Sequence, residues 1–338
     1  SKVEQPLRPL SAQLFSEYKL SDGTFPIYED EYFTNTGGTL SAGVLFSLLR
    51  DRNTDPRRFA EREAGLALEN AELELLLVRI GVQQRATIAY WRWVVAGAQL
   101  GVYEELLAIA QQREAGLRKE VASGARARIF LTENEQNILR RQSLVTSARR
   151  SFANAANGLA LYYRDGSGRL QVPDAALLPP VEAVFASRDT NARRTLDQLP
   201  RALAIRPEVR MLENAIERTD ELIALRENAL RPTLDLKFEV ATGFGEIAEG
   251  GPSRDSTDAI VGFNFTVPLQ QRTARARLSQ SMAERNAIYQ QQRQRQDEIE
   301  IEVRKIYDAL VYAEELASLA GSEVELAETM RQAEQKRF

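Results

Sequence analysis

The sequence contains no cysteine and no histidine. Disulfides, thiol nucleophiles, zinc sites built from Cys and His, and histidine-based catalytic triads are therefore excluded. No phosphate-binding loop and no pairing of a nucleophile with a base is visible, and the acidic residues are scattered along predicted helices. The sequence thus indicates a protein that is not an enzyme, with no catalytic, cofactor-binding or metal-binding residues.

Neither charge nor hydrophobicity is concentrated in one part of the chain. The 44 basic and 48 acidic residues give a net charge of −4, and there is no basic block of the kind that binds nucleic acid. Mean hydropathy is −0.36. No run of about 18 uncharged apolar residues stands out, so the sequence predicts no membrane helix. Membrane strands are compatible with these values, because alternating strands hardly change mean hydropathy.

Four segments alternate apolar and polar residues with a period of two, which is typical of strands with one face of each kind. They form two pairs, at 10–20 with 40–48 and at 234–244 with 261–269. The second pair has the cleaner pattern, and its apolar positions include Leu234, Leu236, Phe238, Val240, Val261, Phe263, Phe265 and Val267. Phe15 and Leu45 break the alternation of the first pair.

Each strand pair is followed by a long stretch without internal proline. From Pro56 to about Ala122, apolar residues recur at helical spacing, with Asp55 as the expected N-cap. Some 65 residues in one helix would span roughly 100 Å. The stretch 274–338 is of similar length and composition. Helices this long need partners of similar length, as in a coiled coil.

The chain therefore divides into six segments. They are a first strand pair (1–50), a first long helical hairpin (51–162) with its tip near 121–128, an irregular region (163–207), a helix (208–230), a second strand pair (231–270) and a second long helix (271–338). The order strand, strand, long helix occurs twice, which indicates a pseudo-symmetric architecture. The second long helix stops where the first one reverses, so we expect a chain truncated at both ends, without an opening and a closing helix.

Several short segments, in their order and spacing, resemble those of the TolC-like family of outer-membrane efflux proteins. Arg206-Pro207-Glu208 resembles the start of the family's helix before the second strand pair, and Arg231-Pro232-Thr233-Leu234 resembles the passage from that helix into a strand. Val267-Pro268-Leu269 is similar to the family's strand exit, and the turn at Gly124 is similar to its hairpin tip. The resemblance covers nearly the whole chain.

The resemblance implies an outer-membrane channel that serves as the exit duct of a tripartite efflux pump or a type I secretion system. It would be a passive conduit for small molecules or exported proteins, with a long periplasmic extension. The implied fold class is mainly α with membrane β-strands: long antiparallel coiled-coil hairpins, and two strand pairs that contribute to a β-barrel shared by a homotrimer. The implied partners are a periplasmic adaptor (membrane fusion) protein, an inner-membrane transporter, directly or indirectly, and outer-membrane lipid.

Two sets of candidate functional residues follow from the resemblance. The eight apolar positions of the second strand pair would face lipid, while Asp235, Lys237, Glu239 and Asn264 would face water in the lumen. The hairpin tip is either a docking point for the adaptor or merely a turn, and it comprises Ser123, Gly124, Ala125, Arg126, Ala127 and Arg128. Many family members carry an acidic residue shortly after the tip glycine, where this chain has Phe130 or nearby Thr132, so no gating acid is assigned.

Other interpretations of the same residues stay open. The apolar strand faces could form the core of a soluble sandwich, and the long helices could belong to a periplasmic coiled-coil adaptor or scaffold. An adaptor would carry a lipoyl-like or small β-barrel domain between its helices, and the sequence shows none. Trp91 and Trp93 are expected to pack rather than to form a ligand platform. The acidic run Asp297, Glu298, Glu300 and Glu302 is expected to be a solvated helix face, the alternative being a tunnel lining that attracts cations.

Overall fold

The computed structural model of the chain describes residues 1–7, 11–21, 34–180, 199–246 and 257–335. Its strands are β1 (Lys2–Leu7), β2 (Ala12–Lys19), β3 (Thr39–Ser47), β4 (Thr233–Gly243) and β5 (Asp258–Thr266). Its helices are α1 (Pro56–Ala122), α2 (Ile129–Ala160), α3 (Leu199–Ile205), α4 (Pro207–Asn228) and α5 (Arg272–Gln335), with a turn of 3₁₀ helix at Ala175–Leu177. The chain divides into two compact units, Ser1–Leu73 with Leu199–Val303 and Glu74–Gln198 with Arg304–Phe338.

The main elements agree with the sequence pattern. The four alternating segments overlap with β2 to β5, of which β5 begins and ends three residues before its predicted segment, and the two long proline-free stretches are α1 and α5. Parts of the predicted segments, at 8–10, 22–33, 181–198, 247–256 and 336–338, lie outside the described residues. Two elements are additional to the prediction. Helix α3 lies within the predicted irregular region, and β1 lies in a segment whose alternation is too weak to be recognised.

Among the described residues one helix, α1, is long and apolar enough to cross a membrane, although the sequence predicts no membrane helix. By length and composition alone, a window of 18 residues in α1 reaches a mean hydropathy of 1.2, and 22% of that window is buried. A single helix of this kind is weak support for a membrane span, since a core helix passes the same test. Helix α1 also supplies the packing residues of a helical hairpin, described below.

The strands of the first unit form one antiparallel sheet in the order β1-β2-β3-β4-β5. The pairing of β3 with β4 joins the two predicted strand pairs, with Val44 opposite Phe238 and Ser47 opposite Asp235. Because residues directly opposite each other share a face of the sheet, this register places the apolar positions of all four predicted strands on the same face. Among the described strands, β1 and β5 are the edges.

Helices α3 and α4, together with parts of α1 and α5, supply the helical part of the first unit. Asp55 caps α1 as predicted, since its Oδ1 accepts the N–H groups of Arg57 at 2.8 Å and Arg58 at 3.1 Å. In α4, the buried apolar residues Val209, Ile216 and Ile223 are spaced seven apart. This heptad spacing is the one by which helices pack side by side in a coiled coil.

In the second unit, α1 and α2 form an antiparallel hairpin. The side chain of Asn134 donates to the carbonyl of Ala110 at 3.3 Å, and Arg149 lies 2.7 Å from Glu104. The core at the base of the hairpin consists of Trp93, Val94, Ala156 and Leu159. Trp93 is 2% exposed and its ring stacks on that of Phe152 at a centroid distance of 6.2 Å. The prediction that Trp93 is a packing residue is confirmed.

Candidate functional site

One face of the sheet carries large apolar side chains that are widely exposed. On β4 and β5 this apolar sheet face consists of Leu234, Leu236, Phe238, Val240, Val261, Phe263 and Phe265, which are seven of the eight residues predicted to face lipid. The eighth, Val267, directly follows β5 and is 51% exposed. Phe263 is 72% exposed. A contiguous exposed apolar surface of this kind marks a site of contact with lipid or with another protein.

The opposite face of the same strands is polar, and we call it the polar sheet face. Asp235 of β4 is paired with Asn264 of β5, and the Ser47 hydroxyl donates to Asp235 Oδ1 at 3.1 Å. Lys237 and Glu239, which lie two and four positions beyond Asp235 on β4, form an ion pair. The four residues predicted to face water therefore lie together. Charged groups strongly prefer water to an apolar environment, so this face suits an aqueous surface.

Phe15, which breaks the sequence pattern, lies on the polar sheet face and is only 9% exposed. Its partner across the strands is Gly43. A Cβ atom at Gly43 would lie 2.6 Å from Cζ of the Phe15 ring and 2.2 Å from the carbonyl oxygen of Phe238, so only glycine leaves room here. The ammonium group of Lys237 lies 5.2 Å from the ring centroid, within the range of a cation–π contact.

Helix α4 carries two rows of ion pairs that sequence reasoning missed. Towards α1 the pairs are Arg62–Glu221, Glu63–Arg218 and Glu69–Arg210. Towards α5 the pairs are Asp220–Arg285 and Glu208–Arg295. The hydrogen bond from Arg210 holds the pKa of Glu69 below its usual value. These pairs join residues that are far apart in the sequence, so no local motif could have shown them.

A cavity of about 640 Å³, lined mostly by residues with polar side chains, lies in the first unit beside α4. Its lining includes the carboxylates of Glu213, Glu217 and Glu227, together with Arg231 and Tyr289. Within the described residues, no group of three or more acidic side chains is arranged to hold a metal ion. The acidic lining therefore gives no basis for assigning a metal site.

The predicted acidic run lies on α5, and its four side chains are not all exposed to solvent. Asp297, Glu298 and Glu302 are exposed, whereas Glu300 is half-buried. Hydrogen bonds from Arg295 lower the pKa of Glu298, and Arg206 lies 3.4 Å from Glu302. On this helix face, Glu298 and Glu302 therefore form ion pairs with arginines.

The hairpin tip in the second unit ends α1 with a Schellman motif. Gly124 has φ +76°, its N–H donates to the Val121 carbonyl at 3.1 Å, and the N–H of Ala125 donates to the Glu120 carbonyl at 2.9 Å. Arg126 pairs with Glu120 at 3.0 Å and lies 5.4 Å from the Phe130 ring centroid. All six predicted tip residues are exposed. The tip is therefore an ordered, exposed turn.

Aromatic residues line a second cavity, of about 530 Å³, near the base of the hairpin. Tyr90, Trp93, Tyr162 and Tyr163 contribute to its wall. The indole N–H of Trp93 is buried and has no hydrogen-bond acceptor among the described residues. Trp91 is 43% exposed and its ring lies edge-on to that of Tyr90 at a centroid distance of 5.4 Å, so its packing role stays a prediction.

Comparison of the sequence with models of protein families and with curated proteins gives no match. Solved structures do match. The outer-membrane channel OprN shares 15% identity at a TM-score of 0.61 over 99% of this chain and 70% of its own. CusC, whose structures concern folding and transmembrane channel formation, shares 18% identity at a TM-score of 0.57 over 92% of this chain and 68% of its own.

A third structure, the outer membrane protein VceC from Vibrio cholerae, shares 14% identity at a TM-score of 0.54 over 93% of this chain and 70% of its own. The chain spans about two thirds of the length of these proteins. This chain has the fold of TolC-like outer-membrane channels, as the sequence resemblance predicted.

Proposed function

We propose that this chain is a protomer of an outer-membrane channel, the passive exit duct of a tripartite efflux pump or a type I secretion system. The observation that carries the proposal is the two-faced sheet. Phe263 and Asn264 are neighbours in β5, yet one lies on the exposed apolar sheet face and the other on the polar sheet face. Lipid on one side and water on the other satisfy both faces at once.

The edges of the sheet support a shared barrel. A membrane does not tolerate strands whose backbone hydrogen-bonding groups are unpaired, and closing the sheet into a barrel removes such edges. The strands of one chain are too few to close a barrel. Several copies must therefore contribute, and the family resemblance makes a homotrimer the assembly that we propose.

The same surface argues against the two alternatives. In a soluble sandwich the apolar sheet face would be covered by a second layer, but Phe263, Phe265 and Val261 are each 60% exposed or more. An adaptor would carry a lipoyl-like domain between its helices, and the described part of the chain between α1 and α5 contains none. No catalytic chemistry is needed for a duct, and we assign none.

The partners that we propose follow from this role. The exposed tip, Ser123 to Arg128, would dock a periplasmic adaptor protein, through which an inner-membrane transporter supplies the energy. Small side chains at Ala125 and Ala127 permit close approach of a partner helix, and Arg128 has no ion-pair partner among the described residues, which leaves its charge available to an acidic surface. Outer-membrane lipid surrounds the apolar sheet face.

The absence of cysteine permits a direct test of the sheet. In membranes from cells that express the full chain, Phe263→Cys carrying a fluorophore is expected to be quenched by spin-labelled lipid. Asn264→Cys is expected to react with a membrane-impermeant maleimide and to escape that quenching. If both cysteines react equally and neither is quenched, the apolar sheet face does not contact lipid and the channel proposal is wrong.

The tip is tested separately. Replacing Ala125 and Ala127 together by leucine would hold a partner helix away from the turn. We expect the double variant to lose co-purification with the periplasmic adaptor of its native strain, while Gly116→Ala, on the same helix but outside the tip, retains it. Equal recovery of the adaptor with both variants would contradict docking at the tip.

A further inference from the structure

Strand β1 occupies the sheet edge that a second copy of the chain would need. It pairs with β2 in continuous antiparallel register, from Lys2 opposite Glu17 to Leu7 opposite Ala12. The opposite edge of the sheet is β5, which pairs only with β4. Joining two copies edge to edge would therefore bring β5 of one copy against either β1 or β2 of the next.

The directions of the strands decide between these two junctions. Because neighbours alternate in direction, β5 runs opposite to β2 and in the same direction as β1. In a ring about the membrane normal, all copies have the same orientation. Four strands per copy, β2 to β5, then meet the next copy through an antiparallel junction. With β1 retained, every junction would be a parallel pair within an otherwise antiparallel sheet.

The outer edge of β1 is also poorly suited to pairing. The Tyr18 N–H donates to the Ser1 carbonyl at 2.8 Å, so odd-numbered residues of β1 bond to β2 and even-numbered residues turn their backbone groups outward. Pro6 therefore occupies an outward position and has no N–H to donate. Proline at such a position is how natural sheets block further pairing at an edge.

Strand β1 is held weakly compared with the strand that would replace it. All six of its residues are exposed, and on the apolar sheet face it places Gln5 opposite Leu14. At the turn before β2, Ser11 has φ +49°, a left-handed conformation that is unfavourable for a residue other than glycine. By contrast, β5 brings only apolar residues to that face. If β5 of a second copy takes the place of β1, the backbone hydrogen bonds to β2 are kept and the apolar sheet face gains apolar side chains.

We propose that β1 is a guard strand: it covers the β2 edge in the single chain and is displaced by β5 of a second copy when the ring assembles. The guard keeps an exposed strand edge from pairing at random before assembly. This inference rests on the proposed function, because it presupposes a barrel shared between copies. Its new content is the exchange of β1 for the partner's strand and the role of residues 2–7.

A disulfide that fixes β1 to β2 tests the exchange. Lys2 and Glu17 are opposite each other at a non-hydrogen-bonded position, where Cα atoms are closest and a disulfide can form. The control pair is Ser47 and Asp235, which joins β3 to β4 and should not need to open. Each double cysteine variant is extracted from membranes in detergent, and its mass is measured by light scattering before and after reduction.

We expect oxidised Lys2→Cys/Glu17→Cys to remain monomeric and to assemble on reduction, while oxidised Ser47→Cys/Asp235→Cys assembles like the unaltered chain. Recovery of the assembled form on reduction shows that the locked variant had folded.

A second variant lacking residues 1–7 is expected to assemble at lower protein concentration than the full chain. If the oxidised lock assembles as readily as its reduced form, β1 is not displaced and the inference is wrong. If the unaltered chain and the control pair also stay monomeric, the shared barrel itself is wrong, and the guard role falls with it.

Discussion

Gly124 determines how the long hairpin reverses. Its φ of +76° lies in the left-handed region, and no atom lies within 4 Å of the position that a Cβ would take. A side chain at this position would therefore meet no steric obstacle beyond its own backbone. The free-energy cost of replacing Gly124 by another residue therefore comes from the backbone conformation alone.

We expect Gly124→Ala to destabilise the chain by about 1 kcal/mol, the cost of placing a non-glycine residue in the left-handed region. Gly116→Ala is the matched control, because Gly116 lies within α1 and also has open space around its Cβ position. This second variant should be more stable by about 0.5–1 kcal/mol, since alanine favours a helix. Urea unfolding followed by circular dichroism measures both. Equal effects of the two substitutions would contradict the Schellman turn at the tip.

Phe15 shows where single-residue reasoning from sequence fails. The strand period predicted which residues of β2 share a face, and it left Phe15 as an exception without a reason. That reason is Gly43, which lies 28 positions away and makes room for the ring on the polar sheet face. Register between strands is not encoded in either strand alone, so the contact could be found only once the pairing was known.

One ion pair between α4 and α1 and a second within α5 give the stability of the folded chain a dependence on pH. Arg210 of α4 lowers the pKa of Glu69 in α1, and Arg295 lowers that of Glu298 three residues further along α5. A carboxylate whose pKa is lower in the folded state than the usual 4.5 stabilises that state above pH 4.5. The contribution disappears as the pH falls through the folded-state pKa, because the proton then binds in both states.

We therefore expect the urea midpoint to be constant from neutral pH to about pH 5 and to fall below pH 4.5 as these carboxylates become protonated. Glu69→Gln should lower the midpoint at neutral pH and make its acid dependence shallower, because one of the carboxylates with a depressed pKa is gone. A midpoint that rises on acidification, or the same acid dependence with and without Glu69, would contradict the role of these pairs.

At the scale of elements, the sequence predicted long helices well and the short edge strand not at all. In α1 the helical spacing of apolar residues repeats over many turns, and α5 is a proline-free stretch of similar length, so the signal accumulates along each helix. In β1, two charged residues and a proline among six leave no clear period, and its partner β2 determines its conformation. The candidate site follows the same rule: the two faces of β4 and β5 were predicted, whereas the pairing of β3 with β4 that unites them was not.

At the scale of the whole molecule, we propose that the chain is part of an assembly. The apolar sheet face is exposed, the edges of the sheet are unpaired among the described strands, and the polar sheet face carries charge. Each of these is unfavourable for an isolated chain and favourable in a barrel that lipid surrounds and water fills. The fold of outer-membrane channels, found in proteins with 14% to 18% identity, matches this requirement.

The most direct measurement is the single-channel conductance of the detergent-extracted protein in a planar lipid bilayer. We predict stable unitary currents, with Asn264→Lys shifting the reversal potential towards anion selectivity and Asn264→Asp shifting it towards cation selectivity, because this residue would line the lumen. Phe263→Leu, on the lipid side of the same strand, should leave selectivity unchanged. Absence of current from folded, membrane-extracted protein, with the tip intact or altered, would contradict the channel.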